Sequence, residues 1–192
     1  MSAQPPPYLT PEEYLEIERA AEYKSEYFEG VMWPLGGVPS GMAGGRWEHN
    51  LISGNVVREL GVALGGRCYV VTSDQRIGVS EGGLYTYADA SVVCGEPQLN
   101  DDILANPCLI VEVLSKTAEV SDRGFKFTQY RRIPTFREYI LIHQTEPQIE
   151  VFRRCENDNW TITKYEGLDA VIPLENLGCS IRSTQVYLGV RF

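Results

Sequence analysis

Cys108-Leu109-Ile110-Val111-Glu112-Val113-Leu114 is apolar at every position except Glu112. A strand that is apolar at both odd and even positions leaves no face for water, so it belongs inside a sheet covered on both sides. An ionised carboxylate in such a strand costs several kcal/mol of lost hydration unless it is paired or coordinated. A lone glutamate on an exposed edge strand would escape that cost, but the unbroken apolar run argues against an edge. Glu112 therefore marks both the centre of a sheet and a candidate site.

The flanking segments supply partners for this strand. Downstream, a helix is predicted over about 117–131 with a weak point at Gly124, then strands at 137–142, 148–154 and 160–165. Glu156-Asn157-Asp158-Asn159 turns the last two. Upstream, 68–79 and 84–94 flank Ser80-Glu81-Gly82-Gly83 and predict a hairpin, followed by an Asp-, Asn- and Pro-rich loop to Pro107. Ile52, Val56, Leu60 and Leu64 step by four and predict a helix over about 47–64. Near the start, Thr10, Pro11 and Glu13 form a capping box, with Tyr14, Ile17 and Ala21 on one helical face. Residues 27–33 predict a short strand interrupted by Gly30. Residues 36–45 hold five glycines and a proline, so they read as a flap near the site or a plain surface loop. The tail, 170–192, holds one or two short strands. This order predicts a single α/β domain over residues 1–192, one mixed sheet flanked by helices.

Composition narrows the function. Of 192 residues, 43% are hydrophobic, enough for a full core, and no stretch reaches the roughly 20 apolar residues that span a bilayer. Met1 to Pro7 lacks the basic flank and apolar core of a secretion signal, so the expected compartment is cytoplasmic. Asn159-Trp160-Thr161 fits a glycosylation sequon without any other sign of secretion. A net charge of −9 argues against a protein that coats nucleic acid non-specifically. The five cysteines are scattered without a C-x-x-C pair and read as small core residues. The glycine-rich segment contains no Gly-Lys-Ser/Thr, which excludes a phosphate-binding loop and a nucleotide cofactor of that kind.

Asp89 is the second acid out of place. It interrupts the apolar and aromatic strand 84–94, where aspartate competes for backbone hydrogen bonds. If Asp89 and Glu112 meet across a sheet, they form an oxygen-rich pocket suited to Mg²⁺. Asp122, Lys126 and Tyr130 fall on one helical face, where a solvated Asp122–Lys126 ion pair is the plainer reading. Residues 116–137 carry six basic residues (Lys116, Arg123, Lys126, Arg131, Arg132 and Arg137) against two acidic, a local +4 that would draw phosphate toward the pocket. Asp74 is a weaker candidate carboxylate. His49, without a partner motif, reads as structural.

Tyr87-Ala88-Asp89, Asn106 to Ser115, Asp122 to Lys126 with Tyr130, and Arg137-Glu138-Tyr139 together resemble the large bacterial family of putative restriction endonucleases, within the PD-(D/E)XK nuclease superfamily. The resemblance extends upstream to Lys24 to Gly30 and His49-Asn50. It implies a restriction-endonuclease-like fold and hydrolysis of DNA phosphodiesters with Mg²⁺, or Mn²⁺ as its substitute. Asp89 and Glu112 match the family's metal-holding acids. Glu26 matches an acid contributed after the first helix, and Lys126 a lysine moved onto the following helix. Two positions depart from the pattern: Ala88 stands where the motif has Pro, and Leu114 where it has Lys. A catalytically inactive binding or assembly module of the same fold is the alternative, and a sugar hydrolase using the two acids is a third. A homodimer is expected for a nuclease that cuts both strands.

Overall fold

The structure, a computed structural model, describes residues 8–35, 46–80, 83–115 and 118–192. The first helix, α1 (Pro11–Ala20), carries the expected capping box: the Glu13 N–H donates to Thr10 Oγ1 and the Thr10 N–H to Glu13 Oε2. Its buried face is Tyr14 and Glu18, while Ile17 is 43% exposed, which corrects the apolar face read from spacing. Glu18 is buried because it is used: it accepts from the Ser25 N–H and hydroxyl and from the Tyr87 hydroxyl.

Residues 27–33 are not one strand. β1 (Ser25–Phe28) and β2 (Val31–Pro34) form a hairpin whose two turn residues, Glu29 and Gly30, both have positive φ (44° and 88°). That pair of angles matches the right-handed twist of the strands it joins. Helix α2 (Trp47–Leu64) then runs as its four-step apolar pattern predicts, burying Ile52, Val56, Leu60 and Leu64.

The remaining strands build two main sheets rather than the single sheet expected. In chain order they are β3 (Cys68–Thr72), β4 (Arg76–Gly78), β5 (Tyr85–Tyr87), β6 (Ala90–Cys94), β7 (Leu99–Asn100), β8 (Ile103–Leu104), β9 (Leu109–Leu114), β10 (Glu138–His143), β11 (Gln148–Arg154) and β12 (Trp160–Glu166). One sheet has the order β2-β1-β5-β4-β8-β7 and the other β12-β11-β10-β9-β6-β3. β9 lies inside the second, parallel to β10 and antiparallel to β6. A short hairpin, β13 (Val171–Leu174) with β14 (Cys179–Arg182), and helix α5 (Ser183–Val186) complete the described chain.

The predicted hairpin of 68–94 joins the two sheets. β3 pairs with β6 in one sheet, and β4 with β5 in the other. Between the Thr72–Ala90 and Arg76–Tyr87 pairs, one arm inserts Ser73, Asp74 and Gln75 and the other only Ala88 and Asp89. Such a bulge bends a two-stranded ribbon and re-aims its side chains. Asp89 sits at that bend.

Both faces of the second sheet are covered. Leu109, Val111 and Val113 pack with α2 and with the β13–β14 hairpin. Ile110 and Leu114 pack on the other side against Tyr130, Phe136 and Tyr139. The latter layer includes a helical stretch in three parts: α3 (Glu119–Ser121), a π-helical turn at Asp122–Lys126, and α4 (Phe127–Tyr130). The π turn occupies the weak point read at Gly124. Cys68 and Cys94 form a disulfide across β3 and β6, and Cys108, Cys155 and Cys179 are only partly buried, which corrects the reading of all five as small core residues. Among the described residues no helix is long and apolar enough to cross a membrane.

Candidate active site

The β6–β9 register brings the two isolated acids together. Ala90 faces Val111 and Ser91 faces Ile110, so one further step places Asp89 opposite Glu112. Asp89 Oδ2 accepts the Val113 N–H at 2.6 Å, which extends the ladder past the end of β6 with a side chain in place of a carbonyl. Asp89 Oδ1 lies 3.5 Å from both Ser53 Oγ and His49 Nε2 on α2. Asp89 and Glu112 line one cavity of about 200 Å³ together with Asp122, Lys126, His49 and Ser115.

Lys126 enters this cavity from the π turn. Its Nζ is 3.2 Å from Glu112 Oε1, 3.2 Å from Glu26 Oε1 and 3.4 Å from Asp122 Oδ1. Lys126 and Asp122 are only 6% and 2% exposed, so the solvated surface pair is ruled out. The Tyr130 hydroxyl donates to Glu112 Oε1 at 3.1 Å, so the expected face of Asp122, Lys126 and Tyr130 does converge on Glu112. π turns concentrate at functional sites because they displace a side chain from the regular helical spiral.

Glu26 stands behind Lys126 and does not line the cavity. It is opposite Trp33 in the β1–β2 register, and Tyr27 pairs with Tyr85, which sets Glu26 beside Thr86 on its other side. Both neighbours donate to it: Trp33 Nε1 to Oε2 at 2.9 Å and the Thr86 hydroxyl to Oε1. The first sheet thus delivers one carboxylate to a lysine carried by the π turn that packs on the second.

Burial pushes the Glu112 carboxyl well above the usual range; Lys126 opposes this, and the carboxylates of Asp122, Asp89 and Glu26 reinforce it. Burial likewise pushes Asp122 up to about 6 against the pull of Lys126. Burial alone would lower Lys126, but Glu112, Tyr130, Glu26 and Asp122 outweigh it and hold the ammonium firmly charged. His49 is raised, first by its hydrogen bond with Asp89. Three carboxyl groups therefore converge on one ammonium and a fourth, Asp89, lines the same cavity, an excess of carboxyl groups over cations.

That excess fits a hard divalent cation. Among the described residues no group of three or more His, Cys, Asp or Glu side chains is arranged to hold a metal, so Asp89 and Glu112 would act as a pair. Mg²⁺ accepts such a pair, because it keeps several waters and takes substrate phosphate oxygens as further ligands. Among the described residues, Asp89 Oδ1 has no partner closer than 3.5 Å and Glu112 Oε2 accepts no hydrogen bond. Asp122 Oδ1 is buried without a hydrogen bond, touched only by the 3.4 Å ion contact to Lys126.

Other expected contributors lie elsewhere. Asp74 pairs with Lys24 at 2.6 Å and its side chain is 85% exposed. Arg123 is taken by Glu119 at 2.8 Å and Glu150 at 2.6 Å. Arg131, Arg132 and Arg137 are exposed, and the Arg137 N–H bonds the Cys108 carbonyl at the opposite end of β9 from Glu112. The +4 stretch therefore does not gather at the pocket; Lys126 alone of its described members enters. Lys116 and the flap at 36–45 lie outside the described residues. Leu114 is buried in the apolar layer, so the motif's lysine position is filled by a packing residue. His49 was read as structural and instead faces the cavity; its sequence signals were its place at the start of α2 and its part in the family resemblance.

A family model described as Uma2, putative restriction endonuclease, matches residues 11–184. Two uncharacterized Synechocystis proteins are similar over nearly their whole lengths. The protein slr1290 is 33% identical over 190 residues, covering 98% of this chain and 96% of the relative. The protein sll1609 is 35% identical over 168 residues, covering 85% and 91%. The crystal structure of a putative nuclease of the DUF820 group from Anabaena variabilis superposes with a TM-score of 0.71 at 17% identity, covering 93% of this chain and 97% of that one. At that identity the likeness speaks for the fold, a mixed α/β nuclease-like architecture.

Proposed function

The chain belongs to the Uma2 putative restriction endonuclease family, and on that premise we propose that it hydrolyses phosphodiester bonds in DNA with Mg²⁺, or Mn²⁺ in its place. The observation that carries this reading is the register that sets Asp89 opposite Glu112 in one cavity with the Lys126 ammonium. Asp89 and Glu112 would hold the cation, which when bound acidifies a water and offsets charge on the phosphate.

The protein's own groups do the remaining work. Lys126 stays charged, so it serves as an electrostatic clamp on the phosphate rather than as a base. Glu26, fixed by Trp33 and Thr86, aims that ammonium and maintains its charge. Tyr130 orients Glu112, and the Val113 N–H orients Asp89.

The test is Mn²⁺ binding and cleavage of a DNA duplex by wild type, Asp89→Asn and Glu112→Gln. Both variants should lose metal binding and cleavage together. Cleavage by wild type undiminished in EDTA, or by Asp89→Asn at the wild-type rate, would remove the metal-dependent mechanism.

A further inference from the structure

The cavity of the acids is the first of three that adjoin. It shares Ser115 with a second, of about 290 Å³, which holds His143 and Glu146. The second shares Gln144 and Thr145 with a third, of about 260 Å³, lined also by Arg46, Glu48, Arg191 and Phe192. The first turn of α2 forms the wall between the first and third, with His49 on one side and Glu48 on the other.

The third cavity is built from the start of α2, the residues that follow β10 and the C-terminal tail. The tail runs back along α2: Arg58 donates to the Gln185 carbonyl, and Asn55 Nδ2 donates to the carbonyls of Val186 and Leu188. This brings Arg191 and Phe192 beside Arg46 at the helix start. Phe192 is 54% exposed and rests edge-on against Tyr187, 5.2 Å between ring centres. Arg46 and Arg191 are exposed and make no ion pair among the described residues, and the Glu48 side chain lines the cavity with them.

Gln144 supplies the second, independent signal. It is 7% exposed, and its buried Oε1 has no hydrogen-bond partner. A buried amide oxygen left unpaired is costly, and what it lacks is a donor, which a phosphate diester does not offer. An exocyclic amino group of a nucleobase does, and glutamine is a common reader of base edges. Two unpaired arginines, an exposed ring and an unpaired amide are the parts of a single-strand site, where cations track phosphates and aromatics stack bases.

We infer that the cavity of Arg46, Gln144, Arg191 and Phe192 is a nucleotide subsite for a single-stranded or unstacked stretch of the substrate strand, adjacent to the scissile phosphate. The inference rests on the nuclease reading of the neighbouring pocket. Arg46 and Arg191 take phosphates, Phe192 stacks a base, and Gln144 accepts from its amino group.

The experiment uses the full chain and the double variant Arg46→Ala/Arg191→Ala, both exposed positions outside the acid cavity. Binding of a labelled single-stranded DNA is followed by anisotropy in EDTA across a salt series. Hydrolysis is compared on the same oligonucleotide and on bis(p-nitrophenyl) phosphate, which is too small to reach the third cavity. The double variant should weaken strand binding at least tenfold and flatten its salt dependence by about 0.7 per lost phosphate contact. Its kcat/KM should fall on the oligonucleotide and stay unchanged on the small diester. Gln144→Ala should alter preference among homopolymer strands without changing the salt slope. Unchanged affinity and salt slope in the double variant would overturn the subsite, as would an equal loss of duplex binding. If wild type cuts neither substrate while the double variant still loses strand binding, the subsite stands and the nuclease reading falls.

Discussion

At the scale of single residues, the proposed chemistry turns on Lys126. A surface lysine paired with Asp122 would contribute less than about 1 kcal/mol. Lys126 is instead buried among three carboxylates, and removing one partner of a buried pair typically costs about 3–5 kcal/mol. Lys126→Met should therefore lower stability in denaturant titration by about 3 kcal/mol or more, retain Mn²⁺ binding, and slow cleavage about 10²-fold or more. Wild-type cleavage by that variant would transfer the role elsewhere, and Lys116 would be the next lysine to replace. Glu150 gives a separate test, away from the pair proposed to hold the metal. Burial would raise its carboxyl, but Arg123 and His143 more than compensate and depress it to about 2. Between that value and the ordinary range near 4, the unfolded chain takes up a proton that the folded chain does not, so stability rises with pH there. Glu150→Gln should flatten the rise of Tm from pH 2 to 5 relative to wild type. Asp89 and Glu112 were legible as candidates because a charge in an apolar strand is visible in one dimension; Lys126 was legible only through the family resemblance, since its helical spacing favoured a solvated pair with Asp122. Glu18 and His49 were not, because their partners arrive from segments dozens of residues away.

At the scale of elements, two glycines give opposite predictions for one substitution. Gly30 has φ +88° and a Cβ there would collide with the Tyr8 ring, so Gly30→Ala should destabilise by more than about 1 kcal/mol. Gly124, in the π turn, has open space where a Cβ would lie, so Gly124→Ala should stabilise by roughly 0.5–1 kcal/mol. Urea unfolding of the two variants checks both signs. Elements with a strong period were legible: α2, β9 and the run from β10 to β12 lie within a residue or so of their predicted limits. The β1–β2 hairpin was not, because Glu-Gly is a weak turn signal and each strand is only four residues long. The small β7–β8 hairpin was lost in a loop of Asp, Asn and Pro for the same reason.

At the scale of the whole molecule, the sequence pattern conveyed the layering but not the division into two sheets, since a bent ribbon and a straight hairpin have the same alternation. The scattered cysteines misled because Cys68 and Cys94 are 26 residues apart and meet only through the β3–β6 register. Their bond staples the edge strand β3 to its neighbour. Closing a loop of that length is worth about 3 kcal/mol on the chain-entropy account. Urea unfolding with and without dithiothreitol should differ by about that amount, and Cys68→Ala/Cys94→Ala should abolish the difference. The bend that separates the sheets has a consequence for comparing relatives. Asp89 meets Glu112 only because two residues, not one or three, bridge Tyr87 and Ala90. A relative that has gained or lost one residue at this crossing would retain every acid and the lysine in a sequence alignment, yet its aspartate would point into the wrong layer. On the proposed mechanism, spacing across the bend matters as much as the acids themselves, and a relative with a one-residue insertion there should bind no Mn²⁺ at this pair.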